Sequence, residues 1–148
     1  MSKSDEPKND ENKMTELEQA RLLRAARDAQ AHAYAPYSHF AVGAAVLDEH
    51  GQIHAGCNVE NAAYPEGVCA EAGAFSAMVL SGGRQVRALA VVGDGAGLVT
   101  PCGGCRQKLR EFAAADTPIL VGDREQLRAE FTLAQLLPSS FGPENLAP

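Results

Sequence analysis

Two short cysteine segments most constrain what this chain can fold into. Cys69 precedes Glu71 by two residues, and Cys102 and Cys105 follow Pro101 at a spacing of three. In the first turn of a helix, residues three apart face the same side, so both sulfurs of the second segment can reach one point. Zinc takes such thiolates, filling four positions with protein ligands in structural sites and leaving one for water in catalytic sites. We predict one zinc ion on Cys69, Cys102 and Cys105, which requires a fold that brings the two segments together.

Each segment stands where an apolar or glycine-rich approach changes to a helical pattern. Helix N-termini carry unpaired N–H groups and partial positive charge, which lower the pKa of a thiol and favour the thiolate. Glu71 is close enough to Cys69 to address an open position on the metal. A carboxylate there can take a proton from water whose pKa the metal lowers to about 7. We therefore predict that Glu71 is the catalytic residue and not a ligand.

The same residues admit other interpretations. Cys102 and Cys105 alone would suit a thioredoxin-like redox pair, although that leaves no place for Cys69 and Glu71. Cys57 could complete a closed site in a non-catalytic, zinc-stabilised module, but it stands in a strand pattern, where a free buried thiol is the usual outcome. Glu71 could merely be a first-turn acid that offsets the helix dipole. Each of these alternatives removes the catalytic role of Glu71.

The two segments resemble those of the zinc-dependent nucleoside deaminases, whose signature pairs a non-ligand Glu with a P-C-x-x-C stretch. The small homotetrameric cytidine deaminases are the most similar group, over roughly residues 15–146. Three further segments carry the resemblance, namely Tyr34–Phe40 before the first strand, Gly56–Pro65 as the ribose-binding stretch and Leu136–Glu144 as the C-terminal tail. The resemblance implies one Zn²⁺ per subunit, a homotetramer, and hydrolysis of cytidine and 2′-deoxycytidine to their uridine counterparts and ammonia in pyrimidine salvage.

The resemblance also implies individual roles. Glu71 would pass a proton from zinc-activated water to N3 of the pyrimidine while hydroxide attacks C4, and it would then help to protonate the departing amine. Asn58 and Glu60, predicted to share a strand face, would bind the ribose hydroxyls, Phe40 would pack on the pyrimidine, and Phe141 would enter the pocket of a neighbouring subunit. Without these roles Asn58 and Glu60 would be solvated strand-end residues, Phe40 a core residue and Phe141 a tail anchor. The other substrate contacts implied are Asn61, Ala62, Ala63, Tyr64 and the backbone of Ala70.

One position departs from the family pattern. Many members carry Arg directly after the catalytic Glu, where this chain has Ala72. Three thiolates and a hydroxide around Zn²⁺ leave a net charge of −2, which an Arg bonded to the sulfurs would offset. We expect the two helix N-termini, and as a candidate Arg106, to compensate.

Composition restricts the class of substrate. The net charge of −6 argues against a nucleic-acid partner and favours a free nucleoside, because phosphate binding needs a basic face. The main alternative is an aminohydrolase acting on another cytosine-containing molecule, such as blasticidin S, although Asn58 and Glu60 favour the nucleoside. No apolar run approaches the roughly 20 residues of a membrane helix. Four cysteines without a secretory signal favour a cytoplasmic location.

Hydrophobic periodicity predicts an alternation of strands and helices. Helices are predicted over residues 16–32, 69–80, 102–114 and 132–137, and strands over residues 41–47, 53–59, 86–92, 119–121 and 127–131. This order predicts a three-layer α/β/α sandwich around a mixed five-stranded sheet. We expect a single catalytic domain over residues 15–148, which follows a disordered charged tail over residues 1–14. Helix 69–80 is predicted to be buried, and Arg106, Lys108 and Arg110 to be solvated.

Overall fold

The computed structural model describes residues 13–147, so the predicted disordered tail lies outside the described residues except for its last two positions. The elements in chain order are α1 (Glu16–Gln30), β1 (Val42–Asp48), β2 (Ile53–Cys57), a 3-10 turn (Tyr64–Glu66), α2 (Ala70–Leu80), β3 (Val86–Gly93), α3 (Gly103–Phe112), β4 (Pro118–Gly122), β5 (Leu127–Thr132), α4 (Leu133–Leu136) and a second 3-10 turn (Pro143–Asn145). Met14 is half-buried and packs against the core.

The five strands form one mixed sheet in the order β2-β1-β3-β4-β5. The β3–β4 pair is parallel, and the other three pairs are antiparallel. Since parallel strands need a crossover, the chain between them forms α3. The predicted mixed five-stranded sheet is confirmed.

Helices cover both faces of this sheet. Because successive side chains of a strand point to opposite faces, Ala45 and Leu47 of β1 meet α1, while Ala44 and Val46 meet the other helical layer. The core on the α1 side contains Leu22, Leu23, Ala26, Ala45, Leu47, Ala88, Ala90, Val92 and Leu120. The core on the side of α2 and α3 includes Ala74, Phe75, Met78, Leu89, Val91, Leu109 and Ile119. The three-layer α/β/α sandwich is therefore confirmed.

The predicted second strand is too long. β2 ends at Cys57, and Val59 forms isolated bridges with Tyr34 and Val68 instead of pairing with β1. Asn58 and Glu60 therefore do not share a strand face, and the prediction that they do is wrong. The pattern that predicts a strand holds as far as Cys57. Beyond Cys57 the chain leaves the sheet, and Val59 pairs with two other segments.

Helix α2 is less buried than predicted. Phe75 and Met78 are in the core, but Val79 is 37% and Leu80 90% exposed. A helix that is apolar nearly all round has only one side against the sheet, and the other side is left open here. That side borders a groove of about 620 Å³ between α2 and α3, which we call the α2–α3 groove. It is lined by Ala72, Phe75, Ser76, Val79, Leu80, Lys108, Glu111 and Phe112.

Two glycines allow helices to lie directly on the strands. A methyl group on Gly43 of β1 would come within 2.5 Å of the Gln30 nitrogen of α1. A methyl group on Gly56 of β2 would come within 2.5 Å of the Ala74 nitrogen of α2 and 2.8 Å of the Gly73 carbonyl carbon. Backbone atoms cannot move aside as a flexible side chain can, so only glycine fits at these two contacts.

A buried acid closes the β1–β2 hairpin. Asp48 is 1% exposed, and its carboxylate accepts hydrogen bonds from the backbone of His50 (2.8 Å) and Gln52 (2.9 Å). Its second oxygen lies 2.7 Å from Nε2 of His54, which is also buried. Burial alone would raise the pKa of Asp48, but the His54 hydrogen bond and the two N–H groups more than offset it and lower the pKa.

We expect Asp48→Asn to destabilise the protein by about 1–3 kcal/mol at pH 7, because a charged acceptor with several buried donors is lost. The pKa of Asp48 is lower folded than unfolded, so its contribution is fully present above the unfolded value of about 3.9 and is lost as pH falls through the folded value. Urea unfolding between pH 7 and pH 3 measures this. The stability gap to the wild-type protein should narrow in acid, whereas Asp116→Asn, at an exposed acid, should leave little gap at either pH.

Candidate active site

Three cysteine thiols converge where two helices begin. Cys69 is the N-cap residue of α2, Cys102 is the N-cap residue of α3, and Cys105 lies in the first turn of α3. Their sulfurs all lie within 4.8 Å of one another, and the Sγ atoms of Cys69 and Cys102 are 3.8 Å apart. Cys57 is outside this cluster, which within residues 13–147 is the one group of three such side chains able to hold a metal ion.

The cluster fits zinc in both spacing and chemistry. A tetrahedral site with Zn–S bonds of 2.3 Å separates its sulfurs by about 3.8 Å. Burial raises the pKa of Cys105, and the neighbouring Glu71 and Cys69 raise it further. Burial and the negative charge of Cys102 likewise raise the pKa of Cys69. Burial acts to raise the pKa of Cys102 too, but the backbone N–H of Cys105 and the thiols of Cys105 and Cys69 more than offset it and lower that pKa. One thiolate is therefore favoured while the other two thiols resist ionisation, and a divalent cation between the sulfurs stabilises all three as thiolates.

Glu71 is buried beside the cysteines. It is the second residue of α2 and only 4% exposed, and it is not part of the metal-binding group. Burial raises its pKa, while its own backbone N–H, a hydrogen bond with Cys105 and the charge of Lys108 act in the opposite direction. A carboxyl group with a raised pKa beside an open metal position is suited to both accepting and donating a proton.

Arg106 was predicted to be solvated, and this prediction is wrong because the side chain is partly buried. Its guanidinium donates to the carbonyl oxygens of Pro101 (2.7 Å) and Leu136 (2.8 Å) and to the hydroxyl of Thr100 (3.1 Å). These bonds tie the segment before Cys102 to the end of α4. Arg106 thus fixes the entry to α3, with its hydrogen bonds directed to oxygen atoms.

Lys108 of α3 is exposed, as predicted. It borders the α2–α3 groove together with Ala72. Its Nζ would be 3.7 Å from a methyl group on Gly104, between the two cysteines of α3. Lys108 is therefore the cation whose charge reaches Glu71.

Asn58 and Glu60 organise the segment before β1. The Asn58 side chain accepts from the Val42 nitrogen and donates to the Phe40 carbonyl oxygen, both at 2.8 Å. Glu60 accepts from the backbone nitrogens of Tyr37 (3.0 Å) and Ser38 (3.1 Å). The hydroxyl and N–H of Ser38, together with the N–H of Tyr37, lower the pKa of Glu60, so it is ionised at neutral pH.

The predicted substrate loop forms one wall of a cavity of about 330 Å³. The Asn61 side chain accepts from the Ala63 nitrogen at 2.9 Å, and Tyr64 stacks edge-on against Tyr37 with ring centroids 5.9 Å apart. The lining residues are Tyr37, Ser38, Glu60, Asn61, Tyr64 and Gly67. Ala62 is exposed on the same loop. The polar and aromatic segments predicted to bind substrate therefore meet in space.

The remaining predicted contacts, Phe40, Phe141 and Ala70, do not line this cavity. Phe40 is 43% exposed, so it is not a core residue, and Phe141 is 57% exposed. Ala70 is buried at the start of α2, between Cys69 and Glu71.

The structural role of Arg128 could not be predicted from the sequence. Arg128 of β5 donates to the carbonyl oxygens of Gly95 (3.0 Å), Ala96 (2.7 Å) and Gly97 (3.1 Å), which fixes the loop that leads to Pro101. In a sequence, an arginine on a half-buried strand reads as a solvated residue. Its partners lie in a glycine-rich loop, and no periodic pattern in the sequence predicts the conformation of such a loop.

Arg110 was also predicted to be solvated, and this prediction is wrong. It is half-buried on α3 and bonded to Ser140 and Glu144 of the C-terminal segment. Helical periodicity correctly placed Arg110 away from the sheet, but it did not show that the chain end covers that side of α3.

None of the helices in residues 13–147 is long and apolar enough to cross a membrane.

The sandwich and the cysteine cluster define a zinc-binding α/β protein of the nucleoside deaminase class. Residues 16–121 match the model of the cytidine and deoxycytidylate deaminase zinc-binding region. The chain therefore belongs to the cytidine and deoxycytidylate deaminase family.

Individual relatives agree with this assignment. The chain is 45% identical to a cytidine deaminase of Sporosarcina psychrophila over 86% of this chain and 93% of the relative. It is 40% identical to a cytidine deaminase of Halalkalibacterium halodurans over 88% and 98%. Among solved structures, cytidine deaminase from Burkholderia pseudomallei is similar with a TM-score of 0.77 and 38% identity, covering 86% of this chain and all of that one.

Proposed function

We propose that this protein is a zinc-dependent cytidine deaminase that hydrolyses cytidine and 2′-deoxycytidine to uridine and 2′-deoxyuridine in pyrimidine salvage. The observation that carries the proposal is the convergence of Cys69, Cys102 and Cys105 beside buried Glu71. Family membership and the names of the relatives support the same reaction. One water molecule is consumed, and the amino group at C4 leaves as ammonia.

The chain's own residues divide the chemistry between them. When held by the three thiolates, zinc supplies the Lewis acidity that activates water at neutral pH. Glu71 accepts the proton that the water releases and delivers it to N3 of the pyrimidine while the hydroxyl group adds to C4. It then takes the proton of that hydroxyl group and passes it to the amine, so the C4 carbonyl of uridine forms as ammonia leaves. Its burial excludes bulk water from these transfers, which strengthens the electrostatic interactions within the site.

The substrate is held by the segments around β1. We assign the pyrimidine ring to Phe40 and the backbone of Ala70, and the ribose hydroxyls to Asn58 and Glu60. The remaining contacts are assigned to the loop that contains Asn61, Ala62, Ala63 and Tyr64. The ionised state of Glu60 supports its role as an acceptor for sugar hydroxyls, and its bonds to the Tyr37 and Ser38 nitrogens hold it in place.

We also place the protein in the cytoplasm as a homotetramer. The four cysteines are free thiols, which is typical of a reducing compartment. The open apolar side of α2, with Val79 and Leu80 exposed, supports a face that pairs with another copy of the chain. Phe141, exposed on the tail, is assigned to the substrate pocket of a neighbouring subunit.

Ultraviolet monitoring of cytidine with purified protein tests the proposed reaction. We expect conversion to uridine, loss of activity after zinc chelation, and recovery when zinc is added back. Chelation should also lower the midpoint of thermal unfolding, because the metal binds the folded site and links α2 to α3. A zinc-loaded protein that leaves cytidine unchanged but hydrolyses blasticidin S would establish the alternative substrate.

A further inference from the structure

The C-terminal tail, which we define as residues 138–147, folds back onto helix α3. Gln107 and Arg110 are three residues apart and therefore lie on one side of α3. Gln107 Nε2 donates to the carbonyl oxygen of Phe141 at 2.9 Å, and Arg110 Nε donates to the hydroxyl of Ser140 at 2.9 Å. Two side chains of the helix that bears two zinc ligands thus hold adjacent residues of the tail.

The arginine binds the tail on both sides of Phe141. Its Nη2 atom pairs with the carboxylate of Glu144, and its side chain is only 19% exposed. Gly142 lies buried against the guanidinium, since a methyl group there would be 2.5 Å from both Nη atoms of Arg110. The backbone N–H of Glu144 and the bond from Arg110 lower the pKa of Glu144, so the pair is charged at neutral pH.

We call the bonds of Gln107 and Arg110 to the tail the clamp. The ring of Phe141 takes no part in it. It is 57% exposed although the backbone before and after it is fixed. In the described part of the chain it lines neither the α2–α3 groove nor the cavity that contains Glu60. An aromatic side chain on a fixed backbone loses little additional entropy when it binds, so this arrangement favours contact with another molecule.

We propose that Arg110, with the support of Gln107, is a positioning residue for substrate binding that acts through Phe141. By fixing Ser140, Gly142 and Glu144, it presents the ring to the substrate cavity of a neighbouring copy of the chain. This inference rests on the proposed function and deepens it, because it names the residue that makes one subunit's site depend on another subunit's tail.

Steady-state kinetics on the zinc-loaded assembly test this. Light scattering first establishes that each variant has the mass of the wild-type oligomer. Arg110→Met should raise KM for cytidine about tenfold and change kcat less than about twofold, because the ring is lost from binding and not from the chemical step. Phe141→Ala should have the same effect. The double variant should be no worse than either single variant, since Arg110 acts through Phe141.

Control variants separate positioning from general stability. Arg124→Met removes an exposed arginine that pairs with Asp94, and it should leave KM unchanged. If Arg110→Met does not fold, the tail-side pair Ser140→Ala with Glu144→Ala removes the acceptors of the same two bonds without altering α3 and should raise KM equally. A normal KM for either clamp variant, or additive effects with Phe141→Ala, would overturn the inference. An inactive wild-type protein would instead refute the proposed function.

Mixed oligomers test whether Phe141 acts between subunits. Glu71→Gln chains retain Phe141, and Phe141→Ala chains retain Glu71. If the ring enters a neighbouring site, co-expression of the two should create sites with a wild-type KM, which neither variant has alone. Mixed oligomers that show only the raised KM of Phe141→Ala would mean that Phe141 serves its own subunit, and the inference would be wrong.

Discussion

Glu71→Gln should abolish turnover while zinc and fold are retained. Glutamine has nearly the same shape as glutamate, so it fits the same buried space at the start of α2. It cannot take up and return a proton, however, and acid–base assistance of this kind is worth about 10²–10⁴-fold in rate. We expect a fall in kcat of at least about 100-fold, measured by ultraviolet assay at saturating cytidine.

Two accompanying measurements assign this loss to chemistry. Zinc content by elemental analysis should stay at one ion per chain, because Glu71 is outside the cysteine cluster. Glu66→Gln provides a matched control, since Glu66 is an exposed acid on the 3-10 turn before α2 and should leave kcat unchanged. Turnover by Glu71→Gln at close to the wild-type rate would remove Glu71 from the catalytic role.

Gly56→Ala should weaken both the fold and the zinc site. The added methyl group would overlap backbone atoms of α2, including the Ala74 nitrogen and the Ala70 carbonyl oxygen. Overpacking typically costs about 1–3 kcal/mol, and a clash with backbone lies at the upper end because no side chain can move aside. Displacing α2 also moves Cys69 and Glu71 relative to α3. We expect about 3 kcal/mol less stability in urea unfolding and weaker zinc retention against a competing chelator.

Two other glycines provide the comparison. Gly43→Ala clashes with α1 on the opposite face of the sheet, so it should destabilise the protein to a similar extent but leave zinc retention by the folded protein intact. Gly97→Ala places its methyl group in open space and should do neither. Equal losses of zinc retention in Gly43→Ala and Gly56→Ala would show that α2 is not specifically displaced.

Local sequence signals predicted most of the architecture. The capping box of Thr15 and Glu18 is present at the start of α1, and a second one on Thr132 begins α4. The cysteine spacing predicted that two helix N-termini would meet, because a shared ion requires it. The capping boxes and the Cys102–Cys105 pair depend on neighbours a few residues apart, which a sequence displays directly. Cys69 lies 33 residues before Cys102, and only the chemistry of a shared ion linked it to the pair.

What the sequence did not reveal depends on contacts between distant segments. Asn58 was placed on a strand, yet its side chain bonds to the backbone at Phe40 and Val42. His54 shows no metal-ligand spacing in the sequence, yet it is buried against Asp48. Arg110 meets a tail 30 residues later in the chain. No periodicity records such pairings, so the clamp on Phe141 could only be found from the structure.

The separation of the zinc ligands along the chain has a consequence for biosynthesis. Cys69 is made 33 residues before Cys102, and β3 lies between them. During translation the first thiol therefore leaves the ribosome without its partners, and it stays exposed to oxidants until α3 has been synthesised and docked. Metal uptake is consequently a late event in maturation, and a chain truncated before α3 would lack two of its three sulfur donors.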